Sequence, residues 1–195
     1  MWRNYLKIAQ HLTHECRMSL VLLDRDGVIN EDSPEYIKRP SEWAPIPGSL
    51  NAIARLNQIG RQVAVCSNQA GVARGLLTND DLRDIHDTMR AALARFGGHI
   101  DAIYCCTHSA DQHCACRKPE PGLLIRAMSE FGTPPDRTAF VGDSLRDMVA
   151  AIAARCMPVL VRTGNGSVAE PDARAIGVER VFDNLDAAVE WLLDQ

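Results

Sequence analysis

Val21-Leu22-Leu23-Asp24-Arg25-Asp26-Gly27-Val28 is an apolar strand that delivers two carboxylates and then breaks at a glycine. The strand, read as Ser19–Asp24, places Asp24 firmly, and the turn near Gly27 lets Asp26 curl back toward the same point. A carboxylate at a strand end can attack phosphorus; another two residues on can protonate the departing alcohol and later activate water. Alone, Asp-x-Asp-Gly also fits a calcium loop or a polar turn. The surrounding chain decides among these.

Outward from this strand, short apolar runs alternate with amphipathic stretches, the pattern of β-α units wound around a parallel sheet. Further strands are expected at Gln62–Cys66, Ile100–Cys105, Thr138–Gly142 and Met157–Val161. Pro47-Gly48-Ser49 introduces a helix with Leu50, Ile53 and Leu56 on one face, and Gly60 is placed to stop it. Thr78 caps the next helix with Asp81 at its third position; Leu82, Ile85, Met89, Leu93 and Phe96 form its buried stripe before Gly97-Gly98. Later helices should cover about Gly122–Phe131, Leu145–Arg155 and Leu185–Leu193. The loops Asn30–Pro47, Asn68–Leu77 and Thr107–Pro121 all follow carboxyl ends of strands, where open parallel sheets bind ligands, so they should converge on one crevice. The fold class expected is α/β, a Rossmann-like three-layer sandwich around a mostly parallel sheet.

The 195 residues suit one domain, placed at 18–195 and large enough to bury a continuous core. Residues 1–17 read as an N-terminal extension ahead of Met18, either a surface helix or the product of a misplaced start, without the apolar stretch or cleavage site of a signal peptide. Hydrophobic residues at 46% and charged residues at 24%, with no apolar run of bilayer length, predict a soluble, cytoplasmic protein with no membrane partner. A net charge of -4 and a pI near 5.8 disfavour a nucleic-acid surface, so any phosphate site must be local. A monomer is expected.

Three more segments carry chemistry. Cys66-Ser67-Asn68-Gln69-Ala70-Gly71 ends the second strand; Ser67 and nearby backbone N–H groups can bind phosphoryl oxygens, and Asn68 and Gln69 add neutral donors. Arg117-Lys118-Pro119 sets two positive charges beside a stiffened backbone, suited to neutralising a phosphate. Gly142-Asp143-Ser144-Leu145-Arg146-Asp147 ends another strand in acids that could complete an oxygen site for magnesium, with Asp143 the preferred ligand and Asp147 orienting the shell.

In order and placement these segments resemble the four motifs of the haloacid dehalogenase superfamily, with Asp24-Arg25-Asp26-Gly27-Val28, Ser67, Lys118, and Gly142-Asp143 with Asp147 at the matching positions. The resemblance implies a magnesium-dependent phosphatase. Asp24 would be the nucleophile, Asp26 the acid and then the base, and Ser67 and Lys118 the groups holding the transferring oxygens. Mg2+ would lie among Asp24, the Asp26 backbone carbonyl and Asp143. No insertion is large enough for a separate cap domain.

The seven cysteines fit a disulfide framework poorly, since four of them crowd into 105–116. Cys106, His108, Cys114 and Cys116 offer a closed tetrahedral set for structural Zn2+ in a loop at about 105–117, with Cys105 and His113 as competitors. Strand alternation sends Cys105 and Cys106 to opposite faces, so both should not hold one ion. Cys66 and Cys156 read as core thiols. The metal loop, Asp24 through Asn30, Ser67 through Gly75 and Cys116-Arg117-Lys118-Pro119 look like the D-glycero-D-manno-heptose 1,7-bisphosphate 7-phosphatase family, from about Ser19 through Thr163. That likeness implies removal of the 7-phosphate of a heptose bisphosphate, a step toward nucleotide-activated heptose and lipopolysaccharide core. It also implies that Arg117 meets the second phosphate or the sugar and that residues around Asp32–Tyr36 line a sugar pocket. Two departures are a short segment between His108 and Cys114 and Ser144 where the family often has lysine. The alternatives are a histidinol-phosphate phosphatase, sharing fold, nucleophile and zinc loop, and a non-catalytic phospho-switch or binding module; Asp26 beside the acceptor favours turnover over a lasting phosphorylated state.

Overall fold

A computed structural model describes residues 18–195; the expected extension at 1–17, including Cys16, lies outside the described residues. Strand β1, Leu20–Leu23, is apolar at every position because both its faces are covered. Val21 and Leu23 join one core and Leu20 and Leu22 the other, all at zero exposure. Each such fully buried side chain contributes about 1.5–3 kcal/mol, so β1 is anchored on both sides immediately before Asp24.

Strands β2 (Gln62–Asn68), β3 (Ala102–Cys106), β4 (Thr138–Gly142), β5 (Met157–Val161) and β6 (Val181–Phe182) complete a sheet in the order β3-β2-β1-β4-β5-β6, with every pairing parallel. Leu23 stands opposite both Val65 and Val141, so β1 and β4 end nearly level while β2 runs on to Asn68. Because the chain moves outward from β1 to β3 on one side and resumes at β4 on the other, the sheet has its switch point at the carboxyl end of β1.

Helices α1 (Ser49–Gln58), α2 (Asn79–Ala94) and α6 (Leu185–Leu193) supply one core, and α3 (Gly122–Phe131) and α4 (Leu145–Ala153) the opposite one. The result is the expected three-layer α/β arrangement. Helix α2 starts where its residues dictate: Thr78 Oγ1 accepts from the Asp81 N–H at 3.1 Å and Asp81 returns a bond to the Thr78 N–H at 2.8 Å. Phe96, expected in the buried stripe, is instead 51% exposed, because α2 ends at Ala94 and the chain turns before the aromatic can follow the helical face. Two elements were not anticipated: α5 (Gly166–Ala175), which carries Pro171 in its interior, and the two-residue β6. Among the described residues no helix is long and apolar enough to cross a membrane.

Candidate active site

Asp24 lies one residue beyond β1, its N–H bound to Val141 O at 2.9 Å, so the sheet continues to hold the backbone where the carboxylate projects. Oδ1 accepts from the Arg25 N–H at 2.7 Å, and Oδ2 is 2.7 Å from Lys118 Nζ. Burial pushes the Asp24 carboxyl up to about 6 against the pull of Lys118, with Asp147 and Asp26 adding repulsion. Lys118, with 1% of its side chain exposed, also sits 2.7 Å from Asp147 Oδ1. Burial alone would lower its pKa, but Asp147 and Asp24 hold it above the usual lysine range, so it stays charged. These two carboxylate contacts engage two of the three Nζ donors, leaving one to spend on a third anion.

Asn68 explains how a residue fifty positions away reaches Asp24. Its Oδ1 accepts from the Lys118 N–H at 3.1 Å and its Nδ2 donates to Lys118 O at 3.0 Å, so the end of β2 clamps the lysine backbone. The Lys118–Pro119 peptide is cis. Asp147 is fixed in the first turn of α4, where Oδ2 accepts from Ser144 N–H at 3.0 Å and Ser144 Oγ at 2.6 Å.

Asp143 follows β4, 3% exposed, and Oδ2 accepts from Asn165 N–H at 2.8 Å. Burial, then the charges of Asp24 and Asp147, push its carboxyl up to about 7. Gly27 (φ +79°) and Gly164 (φ +56°) crowd the same carboxylate; a Cβ on either would run into Asp143 Oδ2, and both backbones are left-handed. Oxygens of Asp24, Asp143 and Asp147 all lie within 4.8 Å of one another. Such buried carboxylates, two of them reluctant to ionise, are a hard oxygen set short of positive charge, which fits magnesium. Lys118 occupies Asp147 Oδ1 and two Ser144 donors occupy Oδ2, whereas Asp24 Oδ1 accepts a single backbone N–H, from Arg25, so Asp24 and Asp143 are the better-placed donors.

The Asp26 carboxylate is outside that cluster, which leaves only its backbone carbonyl for the expected metal role. Its oxygens accept from Arg25 Nε at 3.0 Å and NH2 at 2.9 Å, Asn30 Nδ2 at 2.9 Å and Gln69 Nε2 at 2.8 Å. Burial would raise its pKa; Arg25 and the amide donors overcome this and hold it below the usual carboxylate range. Ser67, 1% exposed near the end of β2, accepts from Gln69 Nε2 at 2.9 Å.

Asp24, Asp26, Ser67, Lys118 and Asp143 line one cavity of about 250 Å3, joined by Asp32, Tyr36, Asn68, Gln69, Arg117 and Asn165. Of the residues expected to meet a sugar, Asp32, Tyr36 and Arg117 reach this space in ways a ligand could use. Gln69 and Asn68 differ: their amides are engaged internally, with Asp26, Ser67 and Arg25 in one case and the Lys118 backbone in the other. Sequence reading missed Asn165, which braces Asp143 and Asp32, and the side chain of Arg25. Asn165 opens the unanticipated α5, so no pattern pointed to it.

Beside the cavity, Cys106, His108, Cys114 and Cys116 come together. Cys106 Sγ is 3.5 Å from Cys114 Sγ and 3.6 Å from His108 Nδ1, and Cys116 Sγ is 3.3 Å from both Cys114 Sγ and His108 Nδ1. Metal–sulfur legs of about 2.3 Å give a tetrahedron with edges of roughly 3.7 Å, so the donor set is nearly gathered to the size zinc needs. Against the cost of burial, hydrogen bonds involving Cys116, Cys106 and the backbone pull the Cys114 thiol down to about 6. Cys105 points into the opposite core, as strand alternation requires, and His113 lines a neighbouring cavity instead. Arg117 NH1 donates to His108 O at 3.2 Å, tying this cluster to the residue beside Lys118. Cys66 and Cys156 are buried free thiols.

A HAD-hydrolase-like family model matches residues 115–188, the part holding Lys118, Asp143 and Asp147. The chain is 46% identical to the D-glycero-beta-D-manno-heptose-1,7-bisphosphate 7-phosphatase of Bordetella bronchiseptica over 91% of this chain and 99% of that one. It is 45% identical to the Pseudomonas aeruginosa enzyme of the same name, over 90% and 98% of the two chains. The crystal structure of the Bordetella D,D-heptose 1,7-bisphosphate phosphatase, complexed with magnesium and phosphate, superposes with a TM-score of 0.88 at 46% identity, covering 91% of this chain and 99% of that one. With motif order, parallel topology and site geometry all in agreement with likeness along nearly the whole length, the chain belongs to the D-glycero-D-manno-heptose 1,7-bisphosphate 7-phosphatase family of haloacid dehalogenase-like hydrolases.

Proposed function

We propose that this chain removes the 7-phosphate of D-glycero-D-manno-heptose 1,7-bisphosphate, a cytoplasmic step toward nucleotide-activated heptose and lipopolysaccharide core, working as a monomer of residues 18–195 folded as one domain. The observation that carries the reading is the convergence of Asp24, Asp26, Ser67, Lys118 and Asp143 on one cavity, in a chain whose relatives bear that enzyme's name. Asp24 attacks phosphorus as the bond to the sugar oxygen breaks, and Asp26, which takes up a proton when the negative phosphate ester fills the site and raises its pKa, gives that oxygen its proton. The products are the heptose alcohol and phosphorylated Asp24. Asp26 then takes a proton from water, whose oxygen attacks phosphorus; the Asp24–phosphorus bond breaks, restoring the carboxylate and releasing phosphate.

Lys118 and Ser67 bear the charge that gathers on the phosphoryl oxygens, and their fixed placement makes them effective in a partly dry site. Asp24, Asp143 and the Asp26 carbonyl would hold magnesium, which would supply further positive charge for that phosphoryl group. Arg117 faces the second phosphate or the sugar, and Asp32 and Tyr36 bound the sugar. Cys106, His108, Cys114 and Cys116 would hold zinc, which would brace the loop that leads into Arg117 and Lys118.

Phosphate release with magnesium from both anomers of heptose 1,7-bisphosphate, fructose 1,6-bisphosphate and histidinol phosphate tests the reading. A heptose bisphosphate should lead in kcat/KM, the β anomer first by analogy with the named relatives. A preference for histidinol phosphate by orders of magnitude would overturn it.

A further inference from the structure

Two buried polar side chains have no part in these steps: Arg25, at zero exposure, and His86 of α2, 7% exposed. A guanidinium carries five N–H donors and no acceptor, so each of its contacts must end on an acceptor. Arg25 grips both oxygens of Asp26, donates through NH2 to Gln69 Oε1 at 3.1 Å, and places NH1 3.2 Å from His86 Nε2. Since Arg25 can only donate, Nε2 is the unprotonated ring nitrogen. The chain of contacts therefore runs from α2 through His86 and Arg25 to Asp26, while 22% of the Asp26 side chain remains open toward the catalytic cavity.

The groups that hold the phosphate-binding side are different. Lys118 is placed by Asn68 and Asp147, and Asp143 by Asn165. Gln69 bridges the two halves through Asp26 and Ser67, and the Arg25 N–H joins them through Asp24 Oδ1. Loss of the acceptor at His86 would leave a buried guanidinium donor unpaired, and the guanidinium would shift, taking its two-point grip on Asp26 with it.

We propose that His86 is a positioning residue for the general acid: through Arg25 it fixes the Asp26 carboxylate toward the oxygen that departs from phosphorus. The proposal rests on the phosphatase reading but not on the heptose substrate. Its consequence is selective. Removal of His86 should harm esters whose leaving oxygen needs a proton and spare those whose oxygen leaves as a stable anion.

The test compares kcat/KM, which covers steps through alcohol release, for glycerol 3-phosphate and p-nitrophenyl phosphate in the full chain with magnesium. His86→Leu should lower the glycerol ester about tenfold, a fraction of what a general acid supplies, and the nitrophenyl ester less than about twofold. His86→Gln, which can still offer Arg25 an acceptor, should recover most of the loss. Equal losses on both esters, no loss on the glycerol ester, or no difference between Gln and Leu would overturn the role. If the leucine variant does not fold, His86→Ala with added imidazole serves, because His86 lines an open surface cavity of about 310 Å3. Recovery confined to the glycerol ester is expected there; recovery of both alike, or of neither, overturns the proposal. A wild-type enzyme that splits both esters but ignores heptose bisphosphate would refute the substrate reading alone.

Discussion

Asp143 shows how single residues at this site are kept under electrostatic tension. Its carboxyl is pushed up to about 7 by burial and by Asp24 and Asp147, whereas an unfolded aspartate ionises near 4. Between these values the metal-free folded chain binds the extra proton, so its stability falls as pH rises and the full penalty is present above about pH 7. Asn keeps an oxygen for the Asn165 N–H without the charge. Asp143→Asn should therefore melt higher than the wild type in chelator at pH 8, with the gap closing toward pH 4, and magnesium should stabilise the wild type far more than the variant. Thermal melts in chelator and in magnesium at both pH values check this; a variant less stable than wild type at pH 8 without metal would refute the charge argument. The order of the four motifs along the chain singled out Asp24, Asp26, Ser67, Lys118 and Asp143, which line one cavity, although each segment alone also suited a turn, a metal loop or solvated surface. It did not reveal that Gln69 and Asn68 face inward, since an amide suits a ligand and a backbone clamp equally well.

At the level of elements, the loop between β3 and α3 matters most, because it carries three of the four zinc-type donors, the fourth being Cys106 at the end of β3, and then, directly, Arg117 and Lys118. Cys114→Ser should lose bound zinc and lower kcat/KM by about tenfold or more through loosening of that segment, as disturbed supporting shells do at metal sites. Metal analysis alongside kinetics decides it: full activity without zinc would remove the structural role. Five of the six strands were legible because apolar runs between turn residues leave few choices, and α2 because its cap and stripe agree. Where the stripe ends was not, since periodicity continues to Phe96 although the helix does not. Helix α5 escaped notice because its interior proline argues against a helix, and with it went Asn165.

Across the whole molecule, function follows from the switch point at β1. The adjacent carboxyl ends of β1, β2 and β4 bring Asp24, Ser67 and Asp143 to one edge, and the β3 loop folds Lys118 in from the side. Topology therefore does the work of collecting groups that are more than a hundred residues apart in the chain. The central claim is that Asp24 becomes phosphorylated in each cycle. Rapid quenching of the wild type with heptose 1,7-bisphosphate and magnesium, followed by peptide mass spectrometry, should find a phosphoryl group on Asp24, and folded Asp24→Asn should form none and release no phosphate. Turnover by that variant, with trace wild-type enzyme excluded, or a phosphoryl group on a different residue would contradict the account.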